Sequence, residues 1–233
     1  MAAEDKRKPM AEGDTALARL EALASDRRAR LLDAAEAAFA EAGFAGASMN
    51  AILTAAAMSK GQAYYYVHDK GDLYSAVIER ALGELVGRMD FSAPLRATTI
   101  NAFWNGIYAA FERLSGALVA DPVMAALGRT MYEGPQTEKA LETPLARIRG
   151  ALELLVEKGQ GLGAVRSDMP RALIVDMVLS AARALDRWFA ENWDDLSPEE
   201  AARLNLEGLK MIRAMVAPTE DERAAGPRVS RPA

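Results

Sequence analysis

The sequence predicts an all-α protein of about nine helices. Apolar residues make up 51% of the 233-residue chain, enough for a packed core. Alanine and leucine dominate and β-branched residues are sparse, a balance that favours helix over sheet. Apolar side chains also recur at i, i+3, i+4 and i+7 in successive segments, each bounded by Gly, Pro or a capping side chain.

Residues 1–24 are polar, contain Pro9 and Gly13, and read as a flexible arm with at most a short helical turn at 15–23. From Ser25 the helical spacing of Leu31, Leu32, Ala35, Phe39 and Ala42 takes over, and Gly43 stops it. Ser48 is placed to cap a short helix carrying Met49, Ile52, Leu53 and Ala56. A tight break at Ala57-Met58 follows, and Ser59 caps a third short helix through Val67. Asp69 caps a longer helix with Leu73, Val77, Ile78, Leu82 and Leu85. Five more segments follow: 94–118, 121–131 with Pro122 at its first position, 137–158, 169–192 with Asp168 as cap, and 197–216 opened by the "SPEE" capping box. Residues 218–233 read as a disordered tail.

Composition excludes several chemistries. There is no cysteine, which removes disulfides, thiolate metal sites and cysteine nucleophiles, and which suits a reducing compartment. His68 is the only histidine, so neither a transition-metal site nor a Ser-His-Asp triad is expected; no catalytic residue, metal or cofactor is assigned. The N-terminus lacks the apolar region of a secretory signal and no run is long enough to span a membrane, so a cytoplasmic protein is expected. The net charge is −5, and residues 1–70 carry nine Lys and Arg against ten Asp and Glu. Bulk charge therefore gives no support to nucleic-acid binding, and the clusters Lys6-Arg7-Lys8 and Arg27, Arg28, Arg30 read by default as solvated faces.

Local pattern points the other way. Three short helices, the last two joined by a tight turn, describe a helix-turn-helix, in which one helix enters the major groove and its neighbour braces it. In "MSKGQAYYYV" (58–67), Ala63 and Val67 can face inward with Met58 plugging the turn. That leaves Lys60, Gly61, Gln62, Tyr65 and Tyr66 turned outward. Tyrosine offers a hydroxyl for a phosphate oxygen, Lys60 adds charge, and Gln62 can present its amide to adenine. Ser59 and Gln62 also form an S-x-x-Q capping box, so the Gln62 amide has two competing uses. Tyr64 is divided evenly between core and surface.

The stretch "LLDAAEAAFAEAGFAGASMNAILTAAAMSKGQAYYYVHDKGDLYSAVIE" resembles the DNA-binding domain of the tetracycline-repressor (TetR) family. Phe39, Gly43, Phe44, Ser48, Ser59, Gly61, Tyr64, Tyr66, Lys70 and Leu73 fall on the family pattern F-x-x-x-G-[FY], a Ser/Thr helix start, and S-x-G-x-[LF]-Y-x-[YH]-F-x-x-K-x-x-L. The chain departs from that pattern at Ala57, where Gly is usual, at Ala63 for Leu, and at Val67 for Phe. The resemblance implies a helix-turn-helix domain over 25–70 and a helical ligand-binding and dimerisation domain over 71–217. It implies that Tyr64, Tyr65 and Lys70 grip phosphates, that Lys60, Gly61, Gln62 and Tyr66 approach base edges, and that Ser48 meets a phosphate. Arg27 or Arg28 would touch the adjacent backbone.

In the C-terminal half the large side chains Trp104, Tyr108, Phe111, Met124, Met131, Met177 and Trp188 suggest an apolar cavity, with Arg183 to orient a polar group of an inducer. Core packing explains each of them singly. Helix 169–192 is apolar nearly all round, and Gly208 in the last helix permits close approach. Both suit a homodimer closed by a four-helix bundle. The functional expectation is a ligand-responsive transcriptional regulator, a repressor that binds a palindromic double-stranded operator as a dimer and is released by a small molecule. The alternative is a helical ligand-binding or protein-interaction module with lost or weak DNA binding.

Overall fold

The computed structural model describes residues 16–220, and the 1–15 part of the expected arm and the 221–233 part of the expected tail lie outside them. Among the described residues all regular secondary structure is helical, with no strand. In order they form α1 (Ala16–Leu20), α2 (Ser25–Gly46), α3 (Met49–Ala55), α4 (Lys60–Ala63), α5 (Lys70–Met89) and α6 (Ser92–Arg96). Then come α7 (Ile100–Ala120), α8 (Pro122–Thr130), α9 (Pro135–Ala140), α10 (Glu142–Leu162), α11 (Arg171–Asn192) and α12 (Pro198–Val216), with a 3-10 turn at Trp193–Asp195.

Most boundaries are set by short-range chemistry. Asp69 accepts from the Asp72 N–H at 2.8 Å and Asp121 from the Met124 N–H at 3.0 Å. Ser197 and Glu200 close a capping box, with Pro198 at the first helical position. Gly43 breaks α2 with φ 68°, and a last turn resumes to Gly46. Glu133 sits under this break and accepts from the Phe44 N–H at 2.8 Å.

Five expectations need correction. Residues 16–24 are not a free arm: α1 packs on the core, with Leu20 fully buried and Leu23 nearly so. The segment 94–118 is two helices, because Thr99 caps α7 by accepting from the Ala102 N–H at 3.2 Å and α6 closes before it. The segment 137–158 also divides at Leu141, with Pro144 tolerated in the first turn of α10, where no intrahelical N–H is lost. Asp168 does not cap α11; both its oxygens bind Arg166, and Pro170 stands at the cap. The recognition segment is helical only over Lys60–Ala63 and continues as a turn over 64–66.

Two hydrophobic cores result. The first gathers α1–α5 with Met124, Leu127, Met131, Ala140 and Leu141, so it continues past residue 70 into α8 and α9. At its centre Tyr74 is fully buried, with its ring edge-on to Phe39 at 5.0 Å and to Phe44 at 5.2 Å. The Thr130 hydroxyl donates to the Leu127 carbonyl at 2.7 Å, so the Tyr74 hydroxyl donates to Thr130 Oγ1, also at 2.7 Å. Burial pushes the Tyr74 phenol above its usual range and keeps it neutral. Arg80 spans from α5 to Asp33 and Glu36 of α2, and buried Glu79 is paired at 2.9 Å with Arg147. The second core packs Phe103 and Trp104 of α7 against α10, α11 and Val216. Along α11 only Ile174 and Val175 are buried, while Leu173, Met177 and Trp188 are exposed. Gly208 permits the contact with α12, since a Cβ there would meet Leu185 Cδ2 at 2.5 Å.

Tyr74→Phe removes the hydroxyl and leaves Thr130 bonded to Leu127, so it should cost about 1 kcal/mol in chemical unfolding. Tyr74→Ala empties the junction of α2, α5 and α8 and should cost roughly 3–5 kcal/mol in the same measurement.

Candidate nucleic-acid interface

The turn between α3 and α4 is fixed by the α3 C-terminus. The Met58 N–H donates to the Leu53 carbonyl at 2.9 Å and the Ala57 N–H to the Thr54 carbonyl at 3.1 Å. This is the Schellman arrangement, with Leu53 and Met58 both buried as its apolar contact. It requires a left-handed residue, and Ala57 supplies it at φ 50°. A Cβ there carries a conformational cost that Gly would avoid.

α4 starts from a complete capping box. Ser59 Oγ accepts from the Gln62 N–H at 3.3 Å, and Gln62 Oε1 accepts from the Ser59 N–H at 3.2 Å. The competition over Gln62 is thereby resolved by atom. Its oxygen is held inside the helix, and its Nε2 remains as a donor. Bidentate reading of adenine needs both atoms, so it would require the box to open. Ala63 and Val67 are fully buried and hold the helix down.

The outward residues then divide by exposure. Lys60, Gly61, Gln62 and Tyr64 are exposed, and Tyr65 is 80% exposed with its ring against that of half-buried Tyr66 at 5.0 Å. Tyr64, at 44% exposed, lies on the surface. A shallow cleft of about 300 Å³ runs between α4 and the start of α2, lined by Leu23, Arg27, Met58, Gly61, Gln62, Tyr65 and Tyr66. Arg27 therefore joins this surface directly, whereas Arg28 is half-buried one position around α2. Ser48 caps α3 by position, yet its exposed hydroxyl makes no capping hydrogen bond.

Lys70 stands apart. Its ammonium donates to the Ala45 and Ala47 carbonyls at 3.0 and 3.1 Å and lies 4.8 Å from the Phe44 ring centre. Two of its three donors thus close the end of α2. A second clamp was invisible in the sequence. Arg19 of α1 donates through Nε to the Tyr66 carbonyl at 3.0 Å and pairs with Asp72 of α5. Asp72 also accepts from the His68 N–H at 2.9 Å. The C-terminal end of the recognition segment is therefore tied to both α1 and α5. Arg19 lies 47 residues from Tyr66 within a segment that reads as polar arm, so no local signal marks it.

The expected ligand residues are divided between the two cores and the surface of α11. Met124 and Met131 lie in the first core. Trp104 is buried in the second, with half-buried Tyr108 packed on it. Phe111 and Arg183 are half-buried, and Met177 and Trp188 are on the exposed face of α11. Among the described residues no group of His, Cys, Asp and Glu is arranged to hold a metal ion, and no helix is long and apolar enough to cross a membrane.

Comparison with known proteins agrees with this geometry. Residues 31–77 match the family model described as bacterial regulatory proteins, tetR family. No curated protein matches the sequence. FadR of Bacillus subtilis, solved in complex with stearoyl-CoA, has a similar fold at TM-score 0.64 and 15% identity, over 81% of this chain and 98% of that one. SmeT, described as the repressor of the Stenotrophomonas maltophilia multidrug efflux pump SmeDEF, aligns at TM-score 0.63 and 18% identity, over 90% of this chain and 97% of that one. A SmeT–triclosan complex aligns at 0.64 and 15%, over 90% and 99%. Residues 31–77 thus match the tetR-family model, and the chain as a whole shares the all-helical fold of FadR and SmeT.

Ala57→Gly should raise stability by roughly 0.5–1 kcal/mol, the left-handed cost removed less the added freedom of the unfolded chain. Chemical unfolding of the two proteins checks this.

Proposed function

We propose that the protein is a ligand-responsive repressor that binds a palindromic operator as a homodimer. The observation that carries the DNA reading is the exposed cluster of Lys60, Gln62, Tyr64 and Tyr65 around Gly61, with Arg27 across the cleft. Gly61 lies in the first turn of α4 with ordinary helical backbone, and a Cβ added there would meet nothing within 4 Å. Glycine weakens a helix by about 0.5–1 kcal/mol relative to alanine, so no internal contact explains its use. The same open space surrounds Gly83, Gly87, Gly116, Gly128, Gly150 and Gly161 in other helices, so it is the side chains around Gly61 that suit a phosphate-lined groove. Lys60 and Arg27 supply charge, Tyr64 and Tyr65 supply hydroxyls, and Gln62 Nε2 supplies a donor.

Dimerisation is supported by the unpartnered apolar face of α11 and α12, where Trp188 is 42% and Met211 74% exposed. Two copies joined there would present two α4 helices to half-sites about 34–36 Å apart. Ligand response is supported by the two solved relatives that hold stearoyl-CoA and triclosan. An amphipathic inducer would shift the population toward a state whose α4 helices miss the groove spacing, with α5 and α8 as the connection. A second reading, an interaction module with weak DNA affinity, draws on the internal use of Lys70 and of Gln62 Oε1.

Gly61→Ala separates the two readings, because fold and DNA contact respond in opposite directions. Unfolding should show the variant at least as stable as the parent. Fluorescence anisotropy on DNA flanking the coding segment should show affinity falling by about 10-fold or more, as for a lost base-edge approach. Tyr65→Ala should weaken binding with stability unchanged. Undiminished DNA binding in both variants would remove α4 from the interface.

A further inference from the structure

The second core carries a cleft that the DNA reading does not use. Its walls are Ile100 and Trp104 at the start of α7, Gly163 and Ala164 after α10, and Arg213, Ala217 and Pro218 at the end of α12. The Arg166 N–H donates to the Val216 carbonyl at 2.9 Å and fixes the last two walls together. The volume is about 250 Å³. We infer that this cleft binds a small amphipathic anion, a carboxylate on a short apolar chain or ring, with Arg213 as its counter-ion.

Charge and stacking carry the inference. The Arg213 guanidinium lies 5.0 Å from the Trp104 ring centre and 5.8 Å from that of Tyr108, and Nη1 donates to the Tyr108 hydroxyl at 3.3 Å. Among the described residues it has no carboxylate partner, although Arg149, Arg171 and Arg187 on the neighbouring helices each have one. Two aromatic faces hold the guanidinium in place without neutralising it. A guanidinium carries five N–H donors in a fork that matches a carboxylate, and one intramolecular bond leaves most of them available.

The field at the cleft has a second source. Ile100 is the first residue of the 21-residue helix α7, so the positive end of that helix opens at the same cleft. The remaining walls, Trp104, Ala164, Ala217 and Pro218, have largely apolar side chains to meet the body of a ligand. The volume suits a molecule on the order of ten non-hydrogen atoms. Binding there does not depend on the DNA reading; only its regulatory meaning does.

Isothermal calorimetry on the full chain without DNA tests the site, with octanoate and its neutral isostere octanamide as probes. Octanoate should bind saturably, and the amide should bind about 10-fold more weakly or worse, the difference made by a charge-assisted hydrogen bond. Arg213→Gln should abolish that preference. Ile100→Trp, at an exposed position that leaves Arg213 in place, should fill the cleft and weaken both probes. A merely structural Arg213 would change stability and leave the preference untouched. No saturable octanoate binding, equal affinity for the amide, or a preference that survives Arg213→Gln would each overturn the inference.

Discussion

Burial of Ala63 and Val67, with Met58 beside them, is the contact on which the recognition face depends. α4 has four residues, far too few to persist as a helix alone, because nucleation fixes several dihedrals for a single hydrogen bond. Tertiary anchoring must supply what length does not. Full burial of a valine contributes roughly 1.5–3 kcal/mol, comparable to the whole cost of ordering a turn this short. The capping box, the Schellman turn at Ala57 and the Arg19–Tyr66 bond then fix how α4 is presented. Tyr64 and Tyr65 stay outside because small Ala63 and Val67 let the segment sit close to the core, while Tyr66 packs partly against it.

From that anchor the structure continues without a seam. Tyr74 joins α2, α5 and α8 through two ring contacts and one buried hydroxyl pair. Glu133, just beyond α8, holds the break at Gly43 by accepting from the Phe44 N–H. Arg80 ties α5 to α2 again through Asp33 and Glu36. A displacement of α8 or α5 would therefore move α2 and, through it, the helix-turn-helix as a body. This continuity of packing is the physical route by which a ligand-driven change among the later helices could reach α4.

What could be read in the sequence was what local chemistry decides. The caps at Ser59, Asp69, Asp121 and Ser197 act within three residues, and each stands where the pattern put it. The inward placement of Ala63 and Val67 followed from their helical spacing, and that of Met58 from its place in the turn. Gly208 at a close helix contact followed from residue size. What could not be read involved partners far apart in the chain: Arg19 with Asp72, Glu133 with Phe44, and Arg213 with Trp104. The Lys70 position matched a family pattern, yet no spacing rule shows that its ammonium turns back onto Ala45 and Ala47. The scattered aromatics and methionines illustrate the same limit. Residue type marks a side chain able to line a cavity, while only the packing of α7, α8 and α11 decides which space it faces.

The central claim is that the α4 face meets the DNA backbone through Lys60, Arg27 and the tyrosines around Gly61. Its most direct test is the salt dependence of wild-type binding to DNA flanking the coding segment, set against scrambled DNA of equal length. Counterion release from six or more phosphates predicts an affinity that falls on the order of 10³-fold or more between about 50 and 200 mM salt. The flanking DNA should stay preferred throughout. Binding that ignores both salt and sequence would contradict the account.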